Sequence, residues 1–426
     1  MDLKKVAVEN LQKYLRIPTV HPNVNYGPAV KFLESLAGEL GLPVKVLEYH
    51  PSNPIVLISW VGEQPNLPSI LLNSHMDTVP VNEKKWAHNP FGAEIDEYGN
   101  IHGRGAQDCK GIGMIYIETI RRLKQAGVQL KRTVHVLFVP DEELGGTKGM
   151  GAFTGTKEFK ELNVGFAIDE GFGDVGNKFL ASYADRLGRK MVIHCEGTAG
   201  HGSLLLHNTA GEKLAKVLTK FYNERRQQKE KLSIGKLGLG EVTSINLTKM
   251  EGGLSSNIIP QKLSATIDCR VTPKDNVGEF EDMINRWCRE AGDGVTVEYL
   301  HKSESAPATA LNDSNPYWVA FEETVTQLQT WIYPASTDAI HLRAVGVSTI
   351  GFVPFRYTPF LKHADNESLN VNTFLEAIDV YTKILPQLAN ERKKRWAAQG
   401  KRRGIRSASA SNTDSRLPEG MTPNKQ

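Results

Sequence analysis

The chain has 426 residues, 40% hydrophobic and 23% charged, a composition that suits a soluble globular protein with room for two domains and excludes a fibrous or disordered chain. A formal net charge of +3 implies no polyanion-binding surface, so nucleic acid is not an expected partner. The charge is uneven: from Glu391 onward there are 10 Lys/Arg against 3 Asp/Glu, a net +7 that leaves −4 for the rest.

From the N-terminus, residues 6–15 and 29–40 carry helical periodicity. No apolar leader precedes them, and no run of about 18 apolar residues follows that could span a membrane. Residues 55–60, 69–73, 133–139 and 165–168 are short apolar runs bounded by turn residues, which predicts buried strands. Between the second and third of them, residues 111–126 read as an amphipathic crossover helix. Strands alternating with helices predict an α/β fold with a mostly parallel sheet covered on both faces. After about Ala184 the pattern becomes β-α-β-β-α-β, with strands at 190–196, 244–250, 264–271 and 295–301 and helices at 211–228 and 277–291. That order predicts a four-stranded antiparallel sheet with two helices on one face, inserted into the first domain. The chain then returns through helices at 315–327 and 372–388 around a strand at 349–353, and from about Trp396 it loses any apolar face, predicting a disordered basic tail. The expected division is therefore 1–186 with 304–395, an insert at 187–303, and a tail at 396–426. Cys109, Cys195, Cys269 and Cys288 form no CxxC pair and are expected as free thiols in a reducing compartment, the cytoplasm.

Chemistry-bearing residues collect where these strands end. The run 70–73 leads into Ser74-His75-Met76-Asp77, which sets an imidazole at the strand's carboxyl edge with a carboxylate two residues on. This is the pairing of a zinc ligand with the group that orients it. Glu142-Glu143 follow the strand at 133–139, and Asp169-Glu170 follow the one at 165–168. In open α/β sheets, reactive groups gather at such ends. The segment Gly103-Arg104-Gly105-Ala106-Gln107-Asp108-Cys109-Lys110-Gly111 is glycine-rich before a helix, yet it lacks both the GxxxxGK[ST] and the GxGxxG spacing. Its acid, Asp108, would repel phosphate but suits a bridge between two metal ions about 3.5–4 Å apart. His363-Ala364-Asp365-Asn366-Glu367 offers a second imidazole among acids.

Four motifs in this order, SHMDTVPV, GRGAQDCKG, VPDEELGG and HADNE, make the chain up to about Leu388 resemble the di-zinc aminoacylase/carboxypeptidase family. The resemblance implies that His75, Asp108 and Glu170 hold one zinc ion and that Asp108, Glu143 and His363 hold the other, two per subunit. Zinc rather than magnesium suits a mixture of imidazole and carboxylate. It also implies that Asp77 orients His75, that Glu142 is the general base, and that the Asp108–Cys109 peptide is cis. His201, in Gly200-His201-Gly202-Ser203, is expected to stabilise an oxyanion from the partner subunit of a homodimer formed through the insert. Asn257, Arg270 and Arg343 match positions near the substrate, where an arginine fork can take a carboxylate. The implied reaction is hydrolysis of a small N-acyl, typically N-acetyl, L-amino acid to the free amino acid and a carboxylate. A dipeptidase or carboxypeptidase shares every metal ligand, and a fatty-acyl substrate is a further alternative, because pocket volume is not legible in the sequence. A binding protein without activity would lose the base or a ligand, and none is missing here.

Overall fold

The computed structural model describes residues 2–390 apart from Lys236 and Glu304; the expected basic tail lies outside the described residues. Asp2 caps the first helix, Leu3–Leu15, by accepting from the amides of Lys4 and Lys5. The second, Gly27–Leu40, carries Pro28 in its first turn and stops at Gly41, whose φ of 59° is the left-handed conformation that glycine adopts freely.

An eight-stranded sheet forms the body, in the order Val44–Glu48, Pro54–Trp60, Val134–Val139, Ser69–His75, Val164–Asp169, Thr349–Phe352, Phe179–Asp185, Leu328–Tyr333. Ser69–His75 lies parallel to both of its neighbours, and Val164–Asp169 parallel to Thr349–Phe352. Every residue of Ser69–His75 and of Val134–Val139 is buried, as expected for strands covered on both faces. Alternate side chains serve two cores. Ile70, Leu72, Val136 and Phe138 pack under the helices Leu3–Leu15, Lys110–Gln125 and Val371–Asn390. Leu71, Leu137 and Val139 face Met150, Phe153 and Leu342 on the other side. The helix Lys110–Gln125 sits so close to the sheet that a Cβ on Gly113 would lie 2.5 Å from the Phe138 ring, so no larger residue fits. Phe352 is fully buried, with its ring 4.8 Å from that of Phe321 in an edge contact. Phe352→Ala is expected to cost about 3–5 kcal/mol, measured as a shift of the denaturant midpoint; an unchanged midpoint would show that the site collapses around the loss.

A second, four-stranded antiparallel sheet runs Ser244–Gly252, Lys262–Val271, Leu187–Glu196, Val295–Lys302. Helices Ala210–Ile234 and Val277–Ala291 cover one of its faces around Met191, Ile193, Ile267, Phe221 and Trp287. The longer helix opens on a reciprocal Thr209–Glu212 cap. The chain passes from one sheet to the other at Arg186, between Phe179–Asp185 and Leu187–Glu196. All four cysteines are buried and free.

The sheet is mostly parallel, as expected, and takes antiparallel pairs as well: Pro54–Trp60 runs antiparallel to Val134–Val139, and Thr349–Phe352 antiparallel to Phe179–Asp185. Two departures from the sequence reading have local causes. Strands Val44–Glu48, Phe179–Asp185 and Leu328–Tyr333 were not expected, since they carry no long apolar run. The helix expected over 315–327 stops at Thr324, and Gln327 turns the chain with φ 58° into Leu328–Tyr333, whose aromatic residues favour an extended edge strand.

Candidate metal centre

His75 ends the buried strand Ser69–His75, where its Nδ1–H donates to the backbone carbonyl of Asp77 at 2.9 Å. That bond fixes the tautomer and leaves Nε2 as a lone-pair donor. Nε2 lies 3.3 Å from Asp108 Oδ1 and 3.8 Å from both Glu142 Oε2 and Glu170 Oε1. The expected orienting role of Asp77 thus falls chiefly on its carbonyl, with the carboxylate 3.6 Å from the ring.

Asp108 follows a loop tied down by the last residue of HADNE. Buried Glu367 accepts from the amides of Gly105, Gln107 and Asp108 and from Arg104 Nη1. Gly111 belongs there because a Cβ would sit 2.1 Å from the Ala106 carbonyl oxygen. The Asp108–Cys109 peptide is cis. On the other side of Asp108, His363 Nε2 lies 3.1 Å from its Oδ2 and 3.0 Å from Glu143 Oε2. Glu142 and Glu143 open a short turn, Glu142–Leu144, entered through Asp141 at φ 70°. Their amides donate to Asp77 Oδ1 and Oδ2 at 3.3 and 3.1 Å.

Among the described residues, two groups offer ligand atoms within 4.8 Å of one another: His75 with Glu142 and Glu170, and His75 with Asp108 and Glu143. The electrostatics fit a cation. Burial, and then Glu170, push the Glu142 carboxyl well above its ordinary range. Burial raises Glu170 to about 8, against the pull of Lys362. Acids crowded and desolvated in this way ionise fully only when a cation joins them, and mixed imidazole and carboxylate donors are those a divalent transition metal takes.

A cavity of about 830 Å³ opens over these groups. One wall holds Asp108, Glu142, Glu143, Glu170 and His363; the other, from the four-stranded sheet, holds Arg189, Arg270, His301 and Lys302. Arg270 is bonded to Asp268 at 2.9 Å. Arg343, expected near the substrate, is instead buried with its guanidinium on Asp185 and on the Thr349 carbonyl, so it stands apart from the residues that line the cavity. His201 and Asn257 lie at the short antiparallel pairing of Gly200–His201 with Ile258–Ile259, where the Gly202 amide donates to the Asn257 carbonyl. Both are exposed and outside the cavity lining of their own chain.

Sequence reasoning missed two basic neighbours. Lys362 is buried, with Nζ 3.2 Å from Asp108 Oδ1 and paired with Glu170; its place beside His363 was the only available signal. His21 sits 2.8 Å from Asp77 Oδ2, and nothing in its local sequence marks it.

The fold and this centre define a metal-dependent hydrolase. The chain belongs to peptidase family M20/M25/M40, whose model matches residues 71–387. It is 43% identical to aminoacylase-1 of Mus musculus over 389 residues, covering 90% of this chain and 95% of that one. Identity to aminoacylase-1 of Homo sapiens is 42% with the same coverage. Among solved structures, an M20 family metallo-carboxypeptidase from Sulfolobus solfataricus superposes with a TM-score of 0.70 at 18% identity, covering 90% of this chain and 99% of that one, a likeness of fold.

Proposed function

We propose that this protein hydrolyses N-acyl L-amino acids, with N-acetyl substrates as the first to test, to the free amino acid and a carboxylate. The observation that carries the reading is the cavity itself, with acids and the His363 imidazole on one wall and Arg270 beside Arg189 and Lys302 on the other, in a chain akin to aminoacylases. A substrate carboxylate meets the cationic wall while its amide carbon meets the acidic one. His75, Asp108 and Glu170 would hold one zinc ion, and Asp108, Glu143 and His363 the other. When bound, zinc supplies Lewis acidity that polarises the acyl carbonyl and lowers the pKa of water toward about 7. Glu142 takes the proton of the attacking water and returns it to the leaving amine. Arg270 orients the substrate carboxylate, for which Asp268 has to share its guanidinium. Asn257, whose carbonyl accepts from the Gly202 amide next to His201, is assigned to the substrate together with that histidine. In this reading, residues 1–186 and 304–395 are the catalytic domain, 187–303 the lid that dimerises, and the compartment is the cytoplasm, in keeping with four free thiols.

Release of free amine from N-acetyl-methionine, N-acetyl-aspartate and a dipeptide, each with and without chelator, tests the reading. Chelator-sensitive release from the acetylated substrates is expected; release from the dipeptide alone would make the chain a dipeptidase. His201 is exposed, and we assign it to the partner's cavity as an oxyanion donor. A two-fold dimer lets each chain donate and receive the same group. Mixing inactive His201→Ala chains with inactive Glu142→Ala chains is then expected to restore about a quarter of the sites in a random mixture. No recovery, with hybrids demonstrated by mass, would place the action of His201 within its own chain.

A further inference from the structure

We propose that His21 is a positioning residue for the catalytic turn, acting through Asp77. The segment around it is laced to the strand end that carries the metal-facing imidazole. Thr19 Oγ1 donates to the Met76 carbonyl at 2.6 Å, the Thr78 amide to the Thr19 carbonyl at 2.9 Å, and the His21 amide to the Thr78 carbonyl at 3.1 Å. This lacing, with a parallel bridge of Val20 to Thr78, brings the His21 ring against Asp77, with side-chain exposures of 10% and 0%. A carboxylate only accepts, so His21 Nε2–H donates to Asp77 Oδ2, over 2.8 Å.

Asp77 is where this bond matters. Its two oxygens accept the amides of Glu142 and Glu143, over 3.3 and 3.1 Å, and its carbonyl holds the His75 ring, at 2.9 Å. One residue therefore fixes both the turn that carries the proposed base and the imidazole that faces the metal. His21 is the side-chain donor that sets the rotation of that carboxylate, since His75 is 3.6 Å from it and the other two donors belong to the turn being held. A carboxylate freed to turn would release one amide or the other, and the Glu142 carboxyl would move with the backbone. His21 itself touches neither the metal ligands nor the substrate-facing cavity wall.

The inference rests on Glu142 as base, and the experiment separates the two. Wild type, His21→Leu, His21→Gln and Glu142→Ala are assayed on N-acetyl-methionine at saturating zinc, with zinc content and melting temperature measured for each. His21→Leu is expected to lose about 10- to 100-fold in kcat, the range for a group behind the first ring of ligands, with KM within about twofold. Gln, which keeps an N–H for Asp77, is expected to recover most of that loss, which a merely structural role would not produce. If Leu does not fold, His21→Phe takes its place, as a ring without a donor. A kcat for Leu or Phe within about twofold of wild type, or a Gln variant as slow as they are, overturns the inference while leaving the Glu142 reading intact. Full activity of Glu142→Ala overturns both.

Discussion

Glu142→Ala is expected to keep its metal and lose on the order of 10²–10⁴ in kcat, the range for a lost acid–base group. The carboxyl is half-buried at the cavity and lies 3.8 Å from His75 Nε2, farther than Asp108 at 3.3 Å. His363 meanwhile contacts Asp108 and Glu143 rather than Glu142. Glu142 also completes one of the two possible ligand groups, with His75 and Glu170, so metal content decides between the roles. Zinc analysis alongside single-substrate kinetics is the measurement. Unchanged zinc with lost turnover identifies the base; lost zinc makes Glu142 a ligand; retained turnover assigns the proton transfer elsewhere.

Asp108→Ala is expected to abolish both metal binding and activity, because among the described residues this carboxylate is the one in direct contact with both imidazoles. Its Oδ1 faces His75 at 3.3 Å and its Oδ2 faces His363 at 3.1 Å. Glu143 contacts His363 and Glu170 contacts His75, and among the described residues neither makes an ion pair with both imidazoles. The loss should be visible without any assay of turnover. A ligand present at a thousand times its Kd adds about 4 kcal/mol to folding stability, so adding zinc to the stripped wild type should raise its melting temperature. The Asp108→Ala chain should not respond to zinc. A zinc-dependent rise equal to that of wild type would remove Asp108 from the bridging position.

The sequence by itself determined where the chemistry sits along the chain. Ile70–Leu72 and Val134–Val139 are apolar enough to be buried strands whatever surrounds them, and each leads at its carboxyl end into polar residues, Asn73 to His75 and Asp141 to Glu143. The motif order then carried the family resemblance, and the alternation of strands and helices carried the fold class. The β-α-β-β-α-β order of the insert was legible because its strands alternate inward and outward residues, as in Leu187–Glu196. Periodicity is a local signal, however, and three things lay beyond it. Edge strands such as Leu328–Tyr333 owe their form to the neighbour they pair with, Phe179–Asp185, rather than to their own apolar content. Arg343 was grouped with substrate contacts by motif position, yet buried Asp185 claims its guanidinium, a pairing made by two segments far apart in sequence. Lys362 and His21 acquire their chemistry only when packing sets an ammonium against Asp108 and Glu170, and an imidazole against Asp77. The sequence determined which residues can act; the tertiary structure decided which of them meet, because a buried charge goes to whatever partner the packed strands bring within reach.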